Sequence, residues 1–223
     1  MIYENEEDEN NYKIEYLGEK FSKNVKVYKI INVGQYGVGK TSIIHRLVRQ
    51  EFDKEYVPTM SIDIKNFQVK VNDKIIQIQI WDCCGNDKYA QGIPNLFKNI
   101  SIVILVYAIN DKRSFRDLTN WYNIIKDYSL DTSIVLIGNK NDLENEREVT
   151  IEDVKAFREN YDSIKIFLET SALTGENMDK ILEKIVILIY KNEINDESKF
   201  ESRIILSKED FTKARKKKKK KFC

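Results

Sequence analysis

The sequence predicts an α/β fold in which a doubly wound, mostly parallel sheet of six strands carries helices on both faces. From about residue 25 to residue 190, segments with the apolar spacing of strands alternate with segments that have the spacing of helices. The segment 102–109 is apolar throughout, as a strand covered on both faces would be. Such alternation implies parallel strands joined by helical crossovers.

The first half of the predicted fold contains one hairpin. A strand over residues 25–33 leads through a glycine-rich segment into a helix, where the apolar residues 43, 44, 47 and 48 recur at helical spacing. The next two strands, 62–71 and 75–81, alternate in polarity and are separated by the turn Asn72-Asp73. This arrangement predicts that the two strands pair as a hairpin.

The second half alternates strictly between strands and helices. The strand at 102–109 is followed by a helix at 114–128, whose apolar residues recur at helical spacing. A strand at 134–138 precedes a helix at 151–160, for which Thr150 is the predicted N-cap. The last strand, 164–168, and the last helix, 177–190, complete the predicted domain.

Composition excludes several classes of protein. A chain of 223 residues with 42% hydrophobic content can bury a full core, which suggests one domain with tails. The longest apolar runs, 102–109 and 185–190, are too short to span a membrane. The acidic N-terminus does not resemble a signal or transit peptide. Three cysteines are too few for a disulfide framework, which fits a reducing compartment.

Charge is concentrated at the two ends of the chain. Residues 1–10 carry five acidic side chains and no basic one, whereas residues 213–223 carry eight basic side chains and no acidic one. We expect residues 1–22 to form a disordered acidic arm, since they contain few apolar anchors. Residues 23–190 are predicted to form the folded domain, and residues 191–223 a variable linker and polybasic tail.

Residues 34–41 match the pattern G-x-x-x-x-G-K-[ST], the phosphate-binding P-loop, and the predicted strand and helix flank them as this motif requires. The predicted fold is therefore that of a P-loop NTPase. Glycines let backbone N–H groups turn toward an anion, and the helix N-terminus adds unpaired donors. Lys40 is predicted to reach the β- and γ-phosphates, and the Thr41 hydroxyl to bind Mg²⁺. The predicted phosphate-binding residues are Gly34, Gly37, Val38, Gly39, Lys40, Thr41 and Ser42.

Two later segments are predicted to recognise guanine. In the sequence Asn139-Lys140-Asn141-Asp142, the Asp142 carboxylate can pair with the N1 and N2 hydrogens of guanine, whereas adenine lacks the amino group at that position. The Lys140 stem can lie along the base plane, and Asn139 can tie this loop to the P-loop. Ser171, Ala172 and Leu173 follow the last strand and can offer a backbone N–H to the guanine O6. Each motif alone occurs by chance, but their order at successive strand ends supports one site.

Two further segments are predicted to surround the γ-phosphate. Thr59, which follows Tyr56 in a polar loop, can bind Mg²⁺ through its hydroxyl and the phosphate through its amide. Asp82 can hold the metal through a water molecule, and the Gly85 amide can contact the γ-phosphate. The predicted Mg²⁺ residues are thus Thr41, Thr59 and Asp82. Loops of this kind become ordered by the third phosphate and are released without it, which makes a switch.

These motifs resemble those of the small GTPases of the Ras superfamily, and most of all those of the Rab branch, over about residues 25–190. The Rab-like features include Phe52 and Tyr56, the segment 77–81, and Ser114-Phe115 with Leu118 and Trp121. The resemblance implies a monomeric switch between GDP and GTP forms, with Mg²⁺ as cofactor and effector proteins as partners. It also implies an exchange factor, a GTPase-activating protein, a role in membrane traffic and a lipid on a C-terminal cysteine.

Several positions depart from the family pattern. The family has a glutamine that orients the attacking water where this chain has Asn86, whose amide is one methylene shorter. Losing one well-placed polar contact in a transition state costs about 3–4 kcal/mol, so we expect slow intrinsic GTP hydrolysis. Asn86, Lys40, Gly85 and Thr59 are the predicted catalytic residues. Cys83 and Cys84 replace the usual threonine and alanine, and we interpret them as small residues tolerated in a tight loop rather than as a metal site.

The polybasic tail has three possible partners: an anionic membrane, a nucleic acid or a receptor that reads a localisation signal. Each lysine near an anionic bilayer contributes about 1 kcal/mol, and a single lipid needs such a second signal for stable anchoring. The chain ends at Cys223 without the three residues of a C-a-a-X motif. We favour prenylation of Cys223 over unmodified electrostatic binding and expect no nucleic-acid partner. The predicted location is the cytosolic face of an intracellular membrane.

The sequence thus predicts a Rab-like GTP-binding switch with weak GTPase activity that recruits effectors in vesicle traffic. An alternative is a structural or scaffold subunit that holds GTP without cycling, which the altered residues near Asn86 motivate. An ATP-using P-loop enzyme is a third possibility, which Asp142 disfavours.

Overall fold

The structure, a computed structural model, describes residues 12–49, 51–53, 59, 61–84 and 94–194. The strands are β1 (Ile14–Gly18), β2 (Val27–Gly34), β3 (Asp63–Val71), β4 (Lys74–Asp82), β5 (Ile100–Ala108), β6 (Ser133–Asn139) and β7 (Ile164–Glu169). The helices are α1 (Lys40–Arg49), α2 (Lys112–Arg116), α3 (Leu118–Tyr128), α4 (Ile151–Glu159) and α5 (residues 178–194). Short 3₁₀ turns lie at Pro94–Phe97 and Asn141–Glu146.

The chain divides into two units, residues 1–187 and residues 188–223. The second unit is described only over 188–194, the last residues of α5. The predicted boundaries at residues 22 and 190 stay predictions. None of the helices in the described part of the chain is both long enough and apolar enough to cross a membrane.

The strands form one sheet in the order β1-β3-β4-β2-β5-β6-β7. Strands β4, β2, β5, β6 and β7 run parallel to one another, whereas β3 is antiparallel to both of its neighbours, β1 and β4. The hairpin predicted around Asn72 is confirmed, since Val71 pairs with Lys74 across the turn. The doubly wound, mostly parallel sheet is therefore as predicted, but it has seven strands rather than six within the described residues.

The seventh strand, β1, lies inside the segment that was expected to be a disordered arm. That expectation was wrong for residues 14–18, which pair antiparallel with the outer edge of β3. The Tyr16 ring packs against Phe67 at 5.6 Å between centroids, and its hydroxyl donates to the carbonyl of Val48 at 2.8 Å. Main-chain pairing and one aromatic anchor stabilise a strand that is too short and polar to be recognised by pattern. Residues 1–11 lie outside the described part of the chain.

Both faces of the sheet are covered. Along β5, alternate residues point to opposite faces, and Val103 and Leu105 belong to a buried cluster with Trp121 of α3. The intervening residues Ile102 and Ile104 are also fully buried. Helix α1 contacts β2 and β4, and its buried residues are not part of the α3 cluster. Helices therefore flank the sheet on both sides, as predicted.

The helix predicted at 114–128 is two helices, α2 and α3, separated by Asp117. Helix α2 begins earlier than predicted because the Asp111 side chain accepts hydrogen bonds from the amides of Arg113 and Ser114. The buried Ser114 hydroxyl then accepts from the Ala108 amide and ties α2 to the end of β5. The predicted N-cap Thr150 is confirmed, since it forms a capping box with Asp153 at the start of α4.

Candidate functional site

A cavity of about 340 Å³ lies at the carboxyl ends of the parallel strands. The loops after β2, β6 and β7 contribute to its wall, so the three predicted motifs meet there. The predicted site residues that line it are Gly37, Gly39, Lys40, Thr41, Ser42, Thr59, Asn139, Lys140, Asp142, Ala172 and Leu173. Its other lining residues are Tyr36, His45, Phe52, Asp53 and Cys83.

The remaining predicted residues divide into two groups. The first group is described by the structure but does not line the cavity: Gly34, Val38, Asp82 and Ser171. Each of these residues forms a hydrogen bond with a residue that does line it. Tyr56, Gly85, Asn86 and Cys223 lie outside the described part of the chain. The predicted roles of those four residues stay predictions.

Lys40 is held against the loop that precedes it. Its ammonium group donates to the carbonyls of Gly34 at 3.0 Å and Gln35 at 2.9 Å. Burial lowers the pKa of Lys40 to about 8, and the nearby Asp82 carboxylate partly opposes this shift. Since an ammonium group has three N–H donors, these two bonds leave Lys40 able to donate to an anion as well. The Asn32 side chain donates to the Lys40 carbonyl at 2.9 Å and fixes the start of α1.

Gly39 allows the P-loop and the Asn139 loop to approach each other closely. Its φ of +97° is one that L side chains rarely adopt, and a Cβ there would lie 2.2 Å from Asn139 Nδ2. That nitrogen donates to the Val38 carbonyl at 2.8 Å. This is the contact between the two loops that was predicted for Asn139.

Asn139 also binds the loop after β7. Its side-chain oxygen accepts from the Ala172 amide at 3.1 Å. The Ser171 hydroxyl donates to Asp142 Oδ1 at 2.5 Å, which leaves the second oxygen of the carboxylate for another donor. The Ala172 amide was a candidate for guanine O6, but in this structure it donates to Asn139. One asparagine at the end of β6 therefore fixes both neighbouring loops.

Three oxygen-bearing side chains meet on the other side of the cavity. Thr41 Oγ1 lies 2.7 Å from Thr59 Oγ1 and donates to Asp82 Oδ2 at 2.6 Å. Asp82 Oδ1 is buried and has no hydrogen-bond partner among the described residues. Burial raises the pKa of Asp82, although the bond from Thr41 opposes the shift.

These residues fit the predicted Mg²⁺. Hydroxyl and carboxylate oxygens are the ligands that Mg²⁺ prefers, and it is often bound by few protein groups together with substrate phosphates. The buried, unpartnered Asp82 Oδ1 is an acceptor that a cation and its waters would satisfy. In the described residues, no three His, Cys, Asp or Glu side chains group together as a metal site. A metal there would therefore depend on the Asp82 carboxylate together with the two hydroxyls and a phosphate ligand.

Cys83 lies in the wall of the cavity. It is buried and donates weakly to the Trp81 carbonyl, with 3.7 Å between sulfur and oxygen. Burial raises the pKa of the Cys83 thiol to about 12. A protonated thiol is a poor nucleophile and a poor metal ligand, which agrees with the interpretation of Cys83 as a packing residue.

Sequence analysis missed two arginines that form hydrogen bonds with the end of β7 and the loop that follows it. Arg147 donates to both carboxylate oxygens of the buried Glu169, at 2.7 and 2.8 Å, just before the loop after β7 begins. It also pairs with the exposed Glu144. Arg46 of α1 donates to the backbone of the same loop. No local pattern marks either contact, because each joins segments distant in sequence.

A sequence model of the Ras family matches residues 29–191, well over half of the chain. The match begins within β2 and includes all the loops that surround the cavity. Together with the mostly parallel sheet, it confirms the P-loop NTPase fold that the sequence predicted.

Proposed function

The chain belongs to the Ras family of small GTP-binding switches, and on that premise we propose that it is a Rab-like switch that recruits effectors in vesicle traffic. Binding of guanine nucleotides and GTPase activity follow from the family. The Rab-like assignment is supported by sequence features such as Phe52 and Trp121. The exchange factor, the GTPase-activating protein and the effectors are proposed partners.

The observation that supports the nucleotide-binding part of this proposal is the convergence of the three loops on one cavity through Asn139. In our proposal, Asp142 accepts the guanine N1 and N2 hydrogens with its two carboxylate oxygens, since the bond from Ser171 uses only one of the lone pairs of Oδ1. Because the Ala172 amide donates to Asn139, we assign the guanine O6 to the amide of Leu173. Lys40 and the P-loop amides hold the phosphates.

On the phosphate side, Thr41, Thr59 and Asp82 are proposed to hold Mg²⁺. The bound metal would neutralise charge on the β- and γ-phosphates. The chain's own residues fix the position of the nucleotide: the Thr41–Asp82 bond orients the hydroxyl at the start of α1. The burial of Lys40 and Asp82 makes their electrostatic interactions stronger than they would be in water.

Slow intrinsic hydrolysis is the enzymatic part of the proposal, and Asn86 is its proposed cause. A single-turnover assay on GTP-loaded protein tests it. We expect the Asn86→Gln variant to hydrolyse GTP about 10²-fold faster than the wild type, because the longer amide can orient the water. GDP affinity serves as the control and is expected not to change. Equal hydrolysis rates, or rapid turnover by the wild type alone, would contradict the role given to Asn86.

Membrane attachment through the tail is proposed from the sequence. The eight basic residues of 213–223 and a lipid on Cys223 would together supply the two signals that stable anchoring needs. Fractionation of cells expressing the Cys223→Ser variant tests the lipid. We expect the variant to move to the soluble fraction, and an unchanged distribution would remove the lipid from the proposal.

A non-cycling scaffold subunit is the second candidate, favoured by the departures at Cys83, Cys84 and Asn86. Nucleotide exchange distinguishes the two functions. A switch releases GDP in exchange for GTP, and its partners bind one form in preference to the other. A scaffold retains its nucleotide and binds partners equally well in both forms.

A further inference from the structure

Arg46 joins the phosphate-binding helix to the loop that faces the base. It lies on α1, six positions after Lys40, and is half-buried. Its Nε donates to the Ala172 carbonyl at 3.0 Å, and its Nη2 donates to the Leu173 carbonyl at 2.7 Å. One planar guanidinium therefore binds two successive carbonyls of a loop more than 120 residues away in sequence.

The first of these bonds fixes the direction of an amide. A trans peptide is planar, so its C=O and N–H point in opposite directions. The Ala172 carbonyl belongs to the same peptide unit as the Leu173 amide. By holding that carbonyl toward α1, Arg46 directs the Leu173 N–H to the opposite side of the loop. This is the amide that the proposed function assigns to guanine O6.

The second bond, to the Leu173 carbonyl, acts on the turn that holds the Asp142 carboxylate. The Leu173 carbonyl shares its peptide unit with the Thr174 amide, which donates to the Ser171 hydroxyl at 3.0 Å. That hydroxyl donates in turn to Asp142 Oδ1. The same turn is closed by the Gly175 amide, which donates to the Ser171 carbonyl at 2.8 Å. Arg46 is thus linked, through one turn, to both groups that face the base.

We propose that Arg46 is a positioning residue for base selection: it orients the Leu173 amide so that a 6-oxo purine is accepted and a 6-amino purine is rejected. The inference rests on the proposed function, since it concerns the same nucleotide site. Helix α1 then has two roles. Its first turn carries Lys40 and Thr41 toward the phosphates, and its second turn holds the loop that reads the base.

The experiment compares two purine ligands on the full-length protein in Mg²⁺. GDP and the diphosphate of 2,6-diaminopurine riboside both carry the 2-amino group that Asp142 is proposed to bind, but only GDP has O6 and the N1 hydrogen. Because Asp142 is present in every protein compared, the missing N1 hydrogen weakens the analogue in all of them, and the change of the ratio between variants reports on position 6. The measured quantity is the ratio of their dissociation constants, obtained by competition. Both ligands compete for the same folded molecules, so a variant that is partly unfolded still gives a valid ratio.

Three variants are compared with the wild type. Arg46→Met removes the donors and keeps the stem, and we expect its preference for GDP over the 6-amino analogue to fall about tenfold. Arg46→Lys keeps the charge but cannot bind both carbonyls in the same way, and we expect an intermediate ratio. Arg49→Met is the matched control, since Arg49 lies on the same helix and pairs with Glu19 at the surface. We expect it to leave the ratio unchanged.

The outcomes separate the inference from the proposed function. A lower melting temperature of Arg46→Met with an unchanged ratio would overturn the inference and leave Arg46 a purely structural residue. An equal loss of preference in Arg49→Met would overturn it as well, since the effect would not depend on the bonds to the loop. If the wild type itself bound GDP no better than the 6-amino analogue, the proposed function would fail.

Discussion

The two sides of the cavity are built in different ways. On the base side, Asn139, Asp142, Ser171 and Ala172 are bonded to one another or to the P-loop, so the chain itself satisfies most of their polar atoms. On the metal side, Asp82 keeps a buried oxygen without a partner among the described residues, and burial raises its pKa. A buried anion that is not fully paired costs free energy. The base side is therefore preformed, whereas the metal side gains most from a cation.

This difference predicts that removing Mg²⁺ and altering the base contacts have separable effects. Changes on the base side are expected to alter which nucleotide binds, with or without the metal. Changes on the metal side are expected to matter only when Mg²⁺ is present. The following predictions test that separation, starting from the largest expected effect.

The Asp142→Asn substitution is expected to lower GDP affinity about 10³-fold, because the guanine N1 and N2 hydrogens lose their charged acceptor. Xanthosine diphosphate, which has an acceptor at position 2, is expected to bind the variant better than GDP. Competition binding in Mg²⁺ and in EDTA gives both values. A loss of GDP affinity that occurred only in the presence of Mg²⁺ would contradict the claim that the two sides of the cavity act separately.

The Thr41→Ala substitution is expected to speed GDP dissociation about 10²-fold in Mg²⁺, equivalent to ~2.7 kcal/mol. The reason is the loss of the hydroxyl that meets Thr59 and Asp82. In EDTA the wild type and the variant are expected to release GDP at the same rate, which serves as the internal control. Stopped-flow release of a fluorescent GDP measures these rates. An equal acceleration in EDTA would show that Thr41 acts on the nucleotide without a metal.

The Tyr16→Phe substitution lies outside both sides of the cavity and is expected to lower the free energy of unfolding by about 1 kcal/mol. It removes the hydroxyl that donates to Val48 near the end of α1 and keeps the ring against Phe67. Urea denaturation measures the loss, with Tyr128→Phe at an exposed position as the control. Base preference is expected to stay unchanged. A changed preference between the bases would mean that the contact of Tyr16 with α1 affects the nucleotide site.

The smallest expected effect concerns the capping box of α4. The bond from the Lys112 ammonium, helped by the Thr150 amide, lowers the pKa of Asp153. Its contribution to stability is therefore present above the unfolded pKa of about 3.9 and is lost as pH falls through the lower folded value. Asp153→Asn is expected to cost about 0.5–1 kcal/mol at pH 7. Urea denaturation should give a difference that narrows below about pH 4, and a constant difference would exclude the charge as its cause.

The sequence predicted the elements whose stability comes from local pattern. The Thr150 cap, the hairpin turn at Asn72 and the three loops at strand ends all follow from residue type and spacing. Periodicity also located most of the strands, because the buried faces of β2 to β7 carry regular apolar residues.

What the sequence did not predict depends on contacts between distant segments. Strand β1 is stabilised by the edge of β3 and by a hydroxyl bond from Tyr16 to a residue 32 positions away. The Arg147–Glu169 pair and the bonds from Arg46 to the loop after β7 have the same character. None of these features leaves a periodic pattern in the sequence.

The most direct test of the central claim is calorimetric titration of the nucleotide-free, full-length protein with GDP and ADP, each in Mg²⁺ and in EDTA. We predict that GDP binds at least 10³-fold more tightly than ADP in both conditions. Removal of the metal is expected to lower the affinity for GDP but not to abolish this preference. Equal affinity for GDP and ADP, or a GDP affinity that does not depend on Mg²⁺, would contradict the account.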